Sequence, residues 1–375
     1  MKDNNHNNGK KIIYLDSAAT TKPTPQVIND FVWASKNCWY NPSAIYQGGV
    51  EARTLIENTR KICADSIGCS PEEIYFTSGG TESNNWALSS ADTSSYCSRI
   101  EHPSVFNNCY YTLFHVDEHG FIYNGALYSV EEDDVVSIQL ANNEIGTIQD
   151  IKSISEIVHR ANAILHVDAV QAYMHIPINV KKLGIDMMSV SGHKFGALKG
   201  TGFLYVNKDI NFEPMLLGGH QEMNMRAGTE NVAGIYAMGN RVKYIMEHGY
   251  NVVHVANITR KLSKAIYEKC GDLCEIIANG AENTKWRLPN NLSLTFRGIN
   301  AEALLIMLSE QGIYCSAGSA CSAGLPEPSH VLKAIGLSDE DAKSTLRFTV
   351  TEDLTDEDID YVANTLERLI PMAKK

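Results

Sequence analysis

The chain has 375 residues, 44% of them hydrophobic, which is enough for a large core and for more than one domain. Its formal net charge is -12 and it contains no block of Lys and Arg, which argues against sequence-independent binding to nucleic-acid phosphates. No apolar run approaches the roughly 20 residues that span a bilayer, and the polar first residues lack the apolar segment of a signal peptide. We therefore expect a cytoplasmic protein without direct contact to membranes or nucleic acid.

The nine cysteines predict free thiols instead of a disulfide framework. Their number is odd, an export signal is lacking, and no two of them form a CxxC pair. No cluster of Cys and His has the spacing of a zinc site. The sequence therefore predicts no metal centre.

A glycine-rich turn follows one of the first predicted strands. Residues 12–15 form a short apolar run, and residues 74–77 read as a strand that leads into the sequence SGGT and a helix. Such a turn directs unpaired backbone N–H groups and the positive end of the helix dipole at one point, which suits a phosphate. Gly80 and Thr81 are therefore candidate phosphate ligands, although many strand-to-helix turns with Ser and Gly bind nothing.

The predicted strands that follow end in polar residues. They cover 135–140, 164–167 and 187–190, and His102 stands before a proline at what reads as another strand end. Strands and helices that alternate from residue 74 to residue 194 predict a mostly parallel sheet covered by helices, and ligands of such sheets gather at the carboxyl ends of the strands. The candidate residues at that edge are Gly80, His102, Asn143, Asp168 and Lys194.

The pattern changes in the second half of the chain. A strand at 202–206 follows its predecessor too closely for a crossover helix, so we expect it to run antiparallel. The polar segments 217–222 and 226–231 read either as exposed loops or as a site or subunit contact. An α+β unit is then predicted from helices at 251–270, 301–311 and 355–370 and strands at 291–296 and 344–350.

Lys194 follows a buried strand in the sequence SVSGHK. Partial burial would favour its neutral amine, which can condense with a carbonyl group. Taken alone, the residue reads more readily as a solvated loop lysine. Only partners elsewhere in the chain make it a candidate for catalysis.

These partners match what pyridoxal 5'-phosphate (PLP) requires, which is an amine, a carboxylate for the ring nitrogen, a phosphate cup and a group that packs on the ring. Asp168 would keep the ring nitrogen protonated, and Lys194 would abstract the proton next to the substrate's amine. The other predicted contacts are Gly80, Thr81, Ser191 and His193 at the phosphate, His102 on the ring, Gln171 at the phenolic oxygen and Asn143 at the same edge.

Two residues are candidates for binding the substrate. A guanidinium binds a carboxylate through two parallel hydrogen bonds, so Arg347 is a candidate clamp, although a lone arginine in a strand is usually a surface salt-bridge partner. Asn41 lies in a YNPS turn where its amide could face a pocket, although forming the turn is the commoner role.

Ordered motifs run from about residue 14 to residue 365: YLDSAATT, YNPSAIY, FTSGGTESNN, EHPSV, NNEIG, HVDAVQA, SGHK, GGHQE, RAGTEN, GSAC and RFTVTEDLTDEDID. Together they resemble those of the cysteine desulfurases, in the aminotransferase class V group of fold-type-I enzymes. So many ordered matches are more specific than any single motif. They turn Lys194 from a weak candidate into a strong one.

The resemblance implies an α/β fold with a mostly parallel seven-stranded sheet between helices, plus a smaller α+β domain. It implies PLP as the cofactor and the conversion of L-cysteine to L-alanine, with the sulfur transferred to Cys321 as a persulfide. The loop that runs from Cys321 to His330 looks like the long-loop branch, which passes sulfur to an iron–sulfur scaffold or a tRNA-thiolation enzyme. Thr229 matches a residue that reaches the phosphate of the neighbouring subunit, which implies a homodimer.

The domain boundaries follow from these patterns and the resemblance. Residues 1–15 are predicted to pack with the small domain, residues 16–250 to form the large PLP-binding domain, and residues 251–375 to form the small domain that carries the Cys321 loop.

Two other functions stay open. One is a selenocysteine lyase or related lyase on the same scaffold, and the other is a non-catalytic PLP-binding partner in sulfur transfer. The sequence also departs from the family at Ser17, Gly192 and Leu198, where asparagine, alanine and proline are usual. Leu198 in place of proline predicts a looser loop behind Lys194.

Overall fold

The computed structural model describes residues 11–89, 94–109, 113–317 and 327–375. The strands, numbered along the chain, are β1 Ile13–Tyr14, β2 Ile74–Thr77, β3 Ser95–Ser98, β4 Leu113–Phe114, β5 Val135–Gln139, β6 Ile164–Asp168, β7 Met187–Ser191, β8 Gly202–Val206, β9 Ile276–Ala278, β10 Asn291–Phe296, β11 Ile313–Tyr314, β12 Ser316–Ala317 and β13 Thr345–Thr349. The helices are α1 Pro25–Asn37, α2 Gln47–Ile67, α3 Gly80–Ser89, α4 Pro103–Phe106, α5 Ile151–Arg160, α6 Val180–Leu183, α7 Val232–His248, α8 Val252–Cys270, α9 Ala301–Glu310, α10 His330–Ala334, α11 Asp339–Ala342 and α12 Asp356–Leu369. No helix within these ranges is long and apolar enough to cross a membrane.

The central sheet has seven strands in the described part of the chain, in the order β2-β8-β7-β6-β5-β3-β4. The neighbours from β4 to β7 pair in parallel, whereas β8 runs antiparallel to both β7 and β2. The connection at residues 192–201 is too short for a crossover helix, which is why β8 reverses direction. The predicted mostly parallel sheet with one antiparallel strand is confirmed.

Both faces of this sheet are buried, because successive side chains of a strand point to opposite faces. Met188 and Tyr205 belong to the larger core cluster, to which α2, α5 and α7 contribute. Met187 and Leu204, their neighbours in sequence, belong to a second cluster with Trp86 of α3. Strands covered on both faces explain the near-continuous apolar runs in the sequence.

One predicted strand boundary is wrong. The strand expected to end at His102 ends at Ser98, and His102 is instead the N-cap of α4. Pro103 is the first residue of that helix, a position where the missing N–H costs nothing and the fixed φ angle favours a helix. His102 nevertheless lies close behind the carboxyl end of β3.

Within the residues that the structure describes, a four-stranded antiparallel sheet, β12-β13-β10-β9, forms a separate core with α8, α9 and α12. The predicted helices and strands beyond residue 250 are confirmed within two residues at each end. Ile13 and Leu15 belong to this core, and β1 pairs in parallel with β11. The proposed domain boundaries stay a prediction.

A buried ion pair ties α2 to the edge of the central sheet. Arg60 donates from Nη1 to Glu222 Oε2 over 2.7 Å and from Nη2 to Oε1 over 3.0 Å. Arg60 also donates to the Ile74 carbonyl, and the N–H of Phe76 donates to Glu222. Because residues 222–224 all have positive φ angles, the pair holds a strained turn in place.

Replacing Glu222 with alanine should lower the free energy of unfolding by about 3–5 kcal/mol, because it leaves the Arg60 guanidinium buried without its main partner. Urea unfolding followed by circular dichroism measures the loss. Glu156→Ala, which breaks the half-exposed Lys152–Glu156 pair, is the control and should cost less than about 0.5 kcal/mol. Similar losses in both variants would contradict the role given to the buried pair.

Candidate active site

The segment of residues 16–21, called the N-terminal segment below, holds Lys194 at the carboxyl edge of the central sheet. Lys194 lies at the end of the short turn Gly192–Lys194, directly after β7. Its Nζ donates to the carbonyls of Ala18, over 2.7 Å, and Ala19, over 3.0 Å. Gln171 Nε2 donates to the same Ala18 carbonyl over 3.0 Å. Lys194 and Gln171, which were predicted to share a site, therefore converge on one backbone oxygen.

Asp168 and His102 lie in the same region. Asp168 is the last residue of β6 and is 5% exposed. Its carboxylate accepts from Asn84 Nδ2 over 2.8 Å and from the N–H of Val170 over 2.9 Å. Burial lowers the pKa of His102; the negative charge of Asp168 opposes this shift and Lys194 adds to it. The three predicted residues thus form one electrostatic cluster.

The glycine-rich turn packs against the ends of β6 and β7. A Cβ atom on Gly80 would lie 2.6 Å from Val170 Cγ2, and one on Gly79 would lie 3.3 Å from Ser191 Oγ. Helix α3 begins at Gly80, so the first N–H groups of the helix have no partner within it. Gly80, Thr81 and Ser191, which were predicted to hold a phosphate, are therefore neighbours around a helix N-terminus.

His193 faces the N-terminal segment. Its Nδ1 lies 3.1 Å from Thr20 Oγ1. Burial lowers the pKa of His193 to about 4, and the charges of Lys194 and Lys199 contribute. At neutral pH His193 can therefore offer an anion a hydrogen bond but not a positive charge.

Arg347 is buried rather than on the surface. Its Nη2 donates to Asp16 Oδ1 over 2.6 Å and its Nη1 to the Asn143 carbonyl over 2.9 Å. Its Nε is buried with no hydrogen-bond partner among the described residues. The guanidinium is thus fixed from two sides, and Asn143 contributes its backbone oxygen.

Two predicted site residues among those that the structure describes are not part of this cluster. Asn41 is exposed, and its side chain accepts from the N–H of Ser43 over 2.9 Å, as a turn former does. Thr229 is exposed in the loop between β8 and α7 and lines a cavity of about 200 Å³ with Ser78 and Glu222. Cys321 lies outside the described residues.

Ser329 and His330 contact the carboxyl edge of the central sheet. These contacts were not predicted from the sequence. Ser329 Oγ donates to Glu144 Oε2 over 2.5 Å, and His330 Nε2 lies 2.9 Å from the Glu101 carbonyl. Burial raises the pKa of Glu144 to about 7, and the Ser329 hydrogen bond and Arg347 oppose the shift. Glu144 and Glu101 stand in NNEIG and EHPSV, so the motifs themselves were the available signal.

Two of the departures from the family pattern, Gly192 and Leu198, lie beside Thr201. A Cβ atom on Gly192 would lie 2.5 Å from Thr201 Oγ1, so glycine leaves room for that side chain. The Thr201 hydroxyl donates to the Leu198 carbonyl over 2.7 Å. The loop that lacks the usual proline is therefore braced by a hydrogen bond.

Comparison with known proteins agrees with this geometry. The family model described as aminotransferase class-V matches residues 13–362. A relative named cysteine desulfurase IscS, from Dictyoglomus turgidum, is 39% identical and covers 96% of this chain and 95% of its own. The solved structure of a NifS-like protein has a TM-score of 0.87 at 31% identity, over 96% of this chain and 100% of its own. A structure of SspA in complex with cysteine has a TM-score of 0.76 at 30% identity, over 90% and 98%.

The chain therefore belongs to the aminotransferase class-V family. Within that family it groups with the cysteine desulfurases, as its motifs predicted. Its α/β architecture is the fold-type-I architecture of these proteins, and enzymes of the family use PLP.

Glu144 makes the stability of the protein depend on pH. Its folded-state pKa lies above its ordinary value of 4.5, so the native state binds more protons than the unfolded state between about pH 4.5 and 7, and stability falls as pH rises through this window. Glu144→Gln should remove this fall. As pH rises from 4.5 to 8, the free energy of unfolding of the variant should increase relative to that of wild type by on the order of 3 kcal/mol. Each pH unit of the window contributes about 1.4 kcal/mol.

Urea unfolding at several pH values measures this gain. Glu156→Gln, at a half-exposed helix position, is the matched control and should follow wild type throughout. A Glu144→Gln variant that loses stability relative to wild type as pH rises would show that the carboxylate, and not the acid, is the favoured form.

Proposed function

We propose that this protein is a PLP-dependent cysteine desulfurase, which converts L-cysteine to L-alanine and transfers the sulfur to Cys321. The observation that carries the proposal is the convergence of Lys194, Gln171 and the Ala18 carbonyl beside Asp168 and His102. An amine, a buried carboxylate and an imidazole at the carboxyl edge of a parallel sheet are the groups this chemistry needs.

The residues at this edge fit PLP. A glycine turn without room for a side chain, the start of α3 and Ser191 form a cradle for a phosphate. Asp168 would bind the ring nitrogen, His102 would pack on the ring, and Gln171 would reach the phenolic oxygen. When bound, PLP withdraws electrons from the α-carbon of an amino acid.

Lys194 would bind the cofactor and later move the proton at the substrate's α-carbon. The carbonyls of Ala18 and Ala19 both accept from its Nζ. A neutral amine can donate two hydrogens and still present its lone pair. The two carbonyls therefore orient the amine for its role as a base.

Arg347 would bind the carboxylate of cysteine. Asp16 and the Asn143 carbonyl hold the guanidinium in one orientation, which lowers the entropic cost of binding a second carboxylate through the remaining N–H groups. The SspA structure that this chain resembles contains cysteine, which supports cysteine as the substrate here.

Cys321 would accept the sulfur. Its thiolate attacks the sulfur of cysteine, a sulfur–sulfur bond forms, and the carbon–sulfur bond breaks with its electron pair left on carbon, which takes up a proton to give alanine. Among the described cysteines, Cys315 is near Arg347 and Asp16, but burial raises its pKa far above the ordinary value. Cys315 is therefore a poor nucleophile, which favours Cys321.

We also propose a cytoplasmic homodimer that passes its sulfur to an acceptor protein, either an iron–sulfur scaffold or a tRNA-thiolation enzyme. Trp33, Trp39 and Ile45 lie exposed on α1 and the loop behind it, and burying such a surface stabilises an assembly. Asn41 lies on this loop, so its contact with substrate depends on the assembly. Thr229 would reach the phosphate of the neighbouring subunit. The IscS name of the relatives supports an acceptor in iron–sulfur assembly.

Lys194→Ala should abolish lysine-linked cofactor, because it removes the amine that binds PLP. Borohydride reduction of protein loaded with PLP, followed by peptide mass analysis, measures the linkage. Lys199→Ala, an exposed lysine of the same loop, should keep the label on Lys194. A label that persists at another lysine in Lys194→Ala would refute the assignment.

Cys321→Ala should lower alanine formation from cysteine by at least about a hundredfold, because it removes the thiol that is proposed to accept the sulfur. Alanine release and protein-bound persulfide measure the loss, and Cys315→Ser should keep both. The opposite result, activity kept in Cys321→Ala and lost in Cys315→Ser, would identify Cys315 as the acceptor. A much higher rate on L-selenocysteine that survives Cys321→Ala would indicate a lyase instead.

A further inference from the structure

Asn84 in α3 and Ser104 in α4 connect Asp168 to His102 through a continuous chain of hydrogen bonds. Asn84 Nδ2 donates to Asp168 Oδ2 over 2.8 Å and to Ser104 Oγ over 2.9 Å. Ser104 Oγ lies 2.7 Å from His102 Nδ1, and the backbone N–H of Ser104 donates to the same nitrogen over 3.1 Å. Asn84 is 1% exposed and Ser104 8%, so water competes little for these bonds.

The direction of each bond follows from the protons that each group carries. The carboxylate of Asp168 only accepts, so the NH₂ group of Asn84 must face it, and its second N–H donates to Ser104 Oγ. The serine hydroxyl has one proton, which it can then give to His102 Nδ1. Since the Ser104 N–H points to the same atom, Nδ1 must present a lone pair. The proton of a neutral His102 ring is therefore on Nε2.

The amide oxygen of Asn84 shows which contacts orient this side chain. Its Oδ1 is buried with no hydrogen-bond partner among the described residues. Buried polar atoms of folded proteins are rarely left in this state. The amide is thus oriented by its two donor contacts, to Asp168 and Ser104, and not by its acceptor.

We propose that Asn84 and Ser104 are positioning residues that hold His102 as the neutral Nε2–H tautomer and fix the orientation of the Asp168 carboxylate. The catalytic consequence rests on the proposed function: an uncharged imidazole packs on the cofactor ring without competing with the protonated ring nitrogen for the Asp168 carboxylate. The tautomer itself is a property of the chain alone.

The charges around His102 favour the same ring state as the hydrogen bonds through Asn84 and Ser104. Burial lowers the pKa of His102, and Lys194 lowers it further, whereas Asp168 opposes the shift. The hydrogen bonds and the surroundings therefore favour the same uncharged ring near neutral pH.

The test records ¹⁵N spectra of the histidine rings in the full-length holoenzyme. His102→Gln identifies the His102 signals by their loss. In wild type, Nε2 should carry the proton and Nδ1 should not. Ser104→Ala removes the hydroxyl donor but keeps the backbone N–H, so it should move the His102 Nδ1 signal and lower kcat about tenfold, the effect of one buried hydrogen bond, with little change in KM for cysteine. Asn84→Ala should change the His102 signals in the same direction, and Ser104→Thr should restore the wild-type signals and kcat.

Ser137→Ala is the matched control, because Ser137 Oγ makes the same 2.7 Å contact with Nδ1 of the buried His166. It should move the His166 signals and leave those of His102 in place. If Ser104→Ala does not fold, Ser104→Cys replaces the hydroxyl with a weaker donor and gives the same readout.

Wild-type His102 protonated on Nδ1, or on both nitrogens at neutral pH, would overturn the proposal. Unchanged signals and kcat in Ser104→Ala would overturn it as well. A protein with the expected signals but no desulfurase activity would refute the proposed function and support the tautomer assignment, so the two failures are distinguishable.

Discussion

The six residues from Asp16 to Thr21 constrain both ends of the candidate site. Asp16 binds Arg347 over 2.6 Å, while the Ala18 and Ala19 carbonyls accept from Lys194, and Thr21 donates to the Lys194 carbonyl. Arg347 belongs to the small antiparallel sheet and Lys194 follows a strand of the central sheet. One short segment therefore sets the separation between the proposed base and the proposed carboxylate clamp, through two side chains and two backbone oxygens.

Burial decides which groups near this segment are charged. It lowers the pKa of His102, lowers that of His193 to about 4, and raises that of Glu144 to about 7. The two imidazoles are thereby kept uncharged near neutral pH, which leaves the charges of Asp168 and Arg347 to act on a ligand. In a region of low dielectric constant, even a small number of charges exerts strong electric fields.

The sequence predicted the central sheet well because its strands are apolar runs with distinct ends. The ends of β2 and β8 and the reversal of β8 were all predicted, since a short connection excludes a crossover. His102 was placed at a strand end, whereas it caps α4, because the proline after it is compatible with both readings. The contacts of Asn84, Glu144 and Ser329 could not be predicted, because each bonds to a residue distant in sequence.

The sequence, through its strand ends and its ordered motifs, was enough to predict which residues carry the proposed reaction. Lys194, Asp168 and the glycine turn stand at strand ends, and the ordered motifs indicated that they belong to one PLP site. Only the tertiary structure decided the state of those groups: which carbonyls orient the lysine, which carboxylate holds Arg347, and which amide fixes Asp168. These outcomes depend on desolvation and on hydrogen bonds between distant segments, and neither quantity exists until the chain has folded.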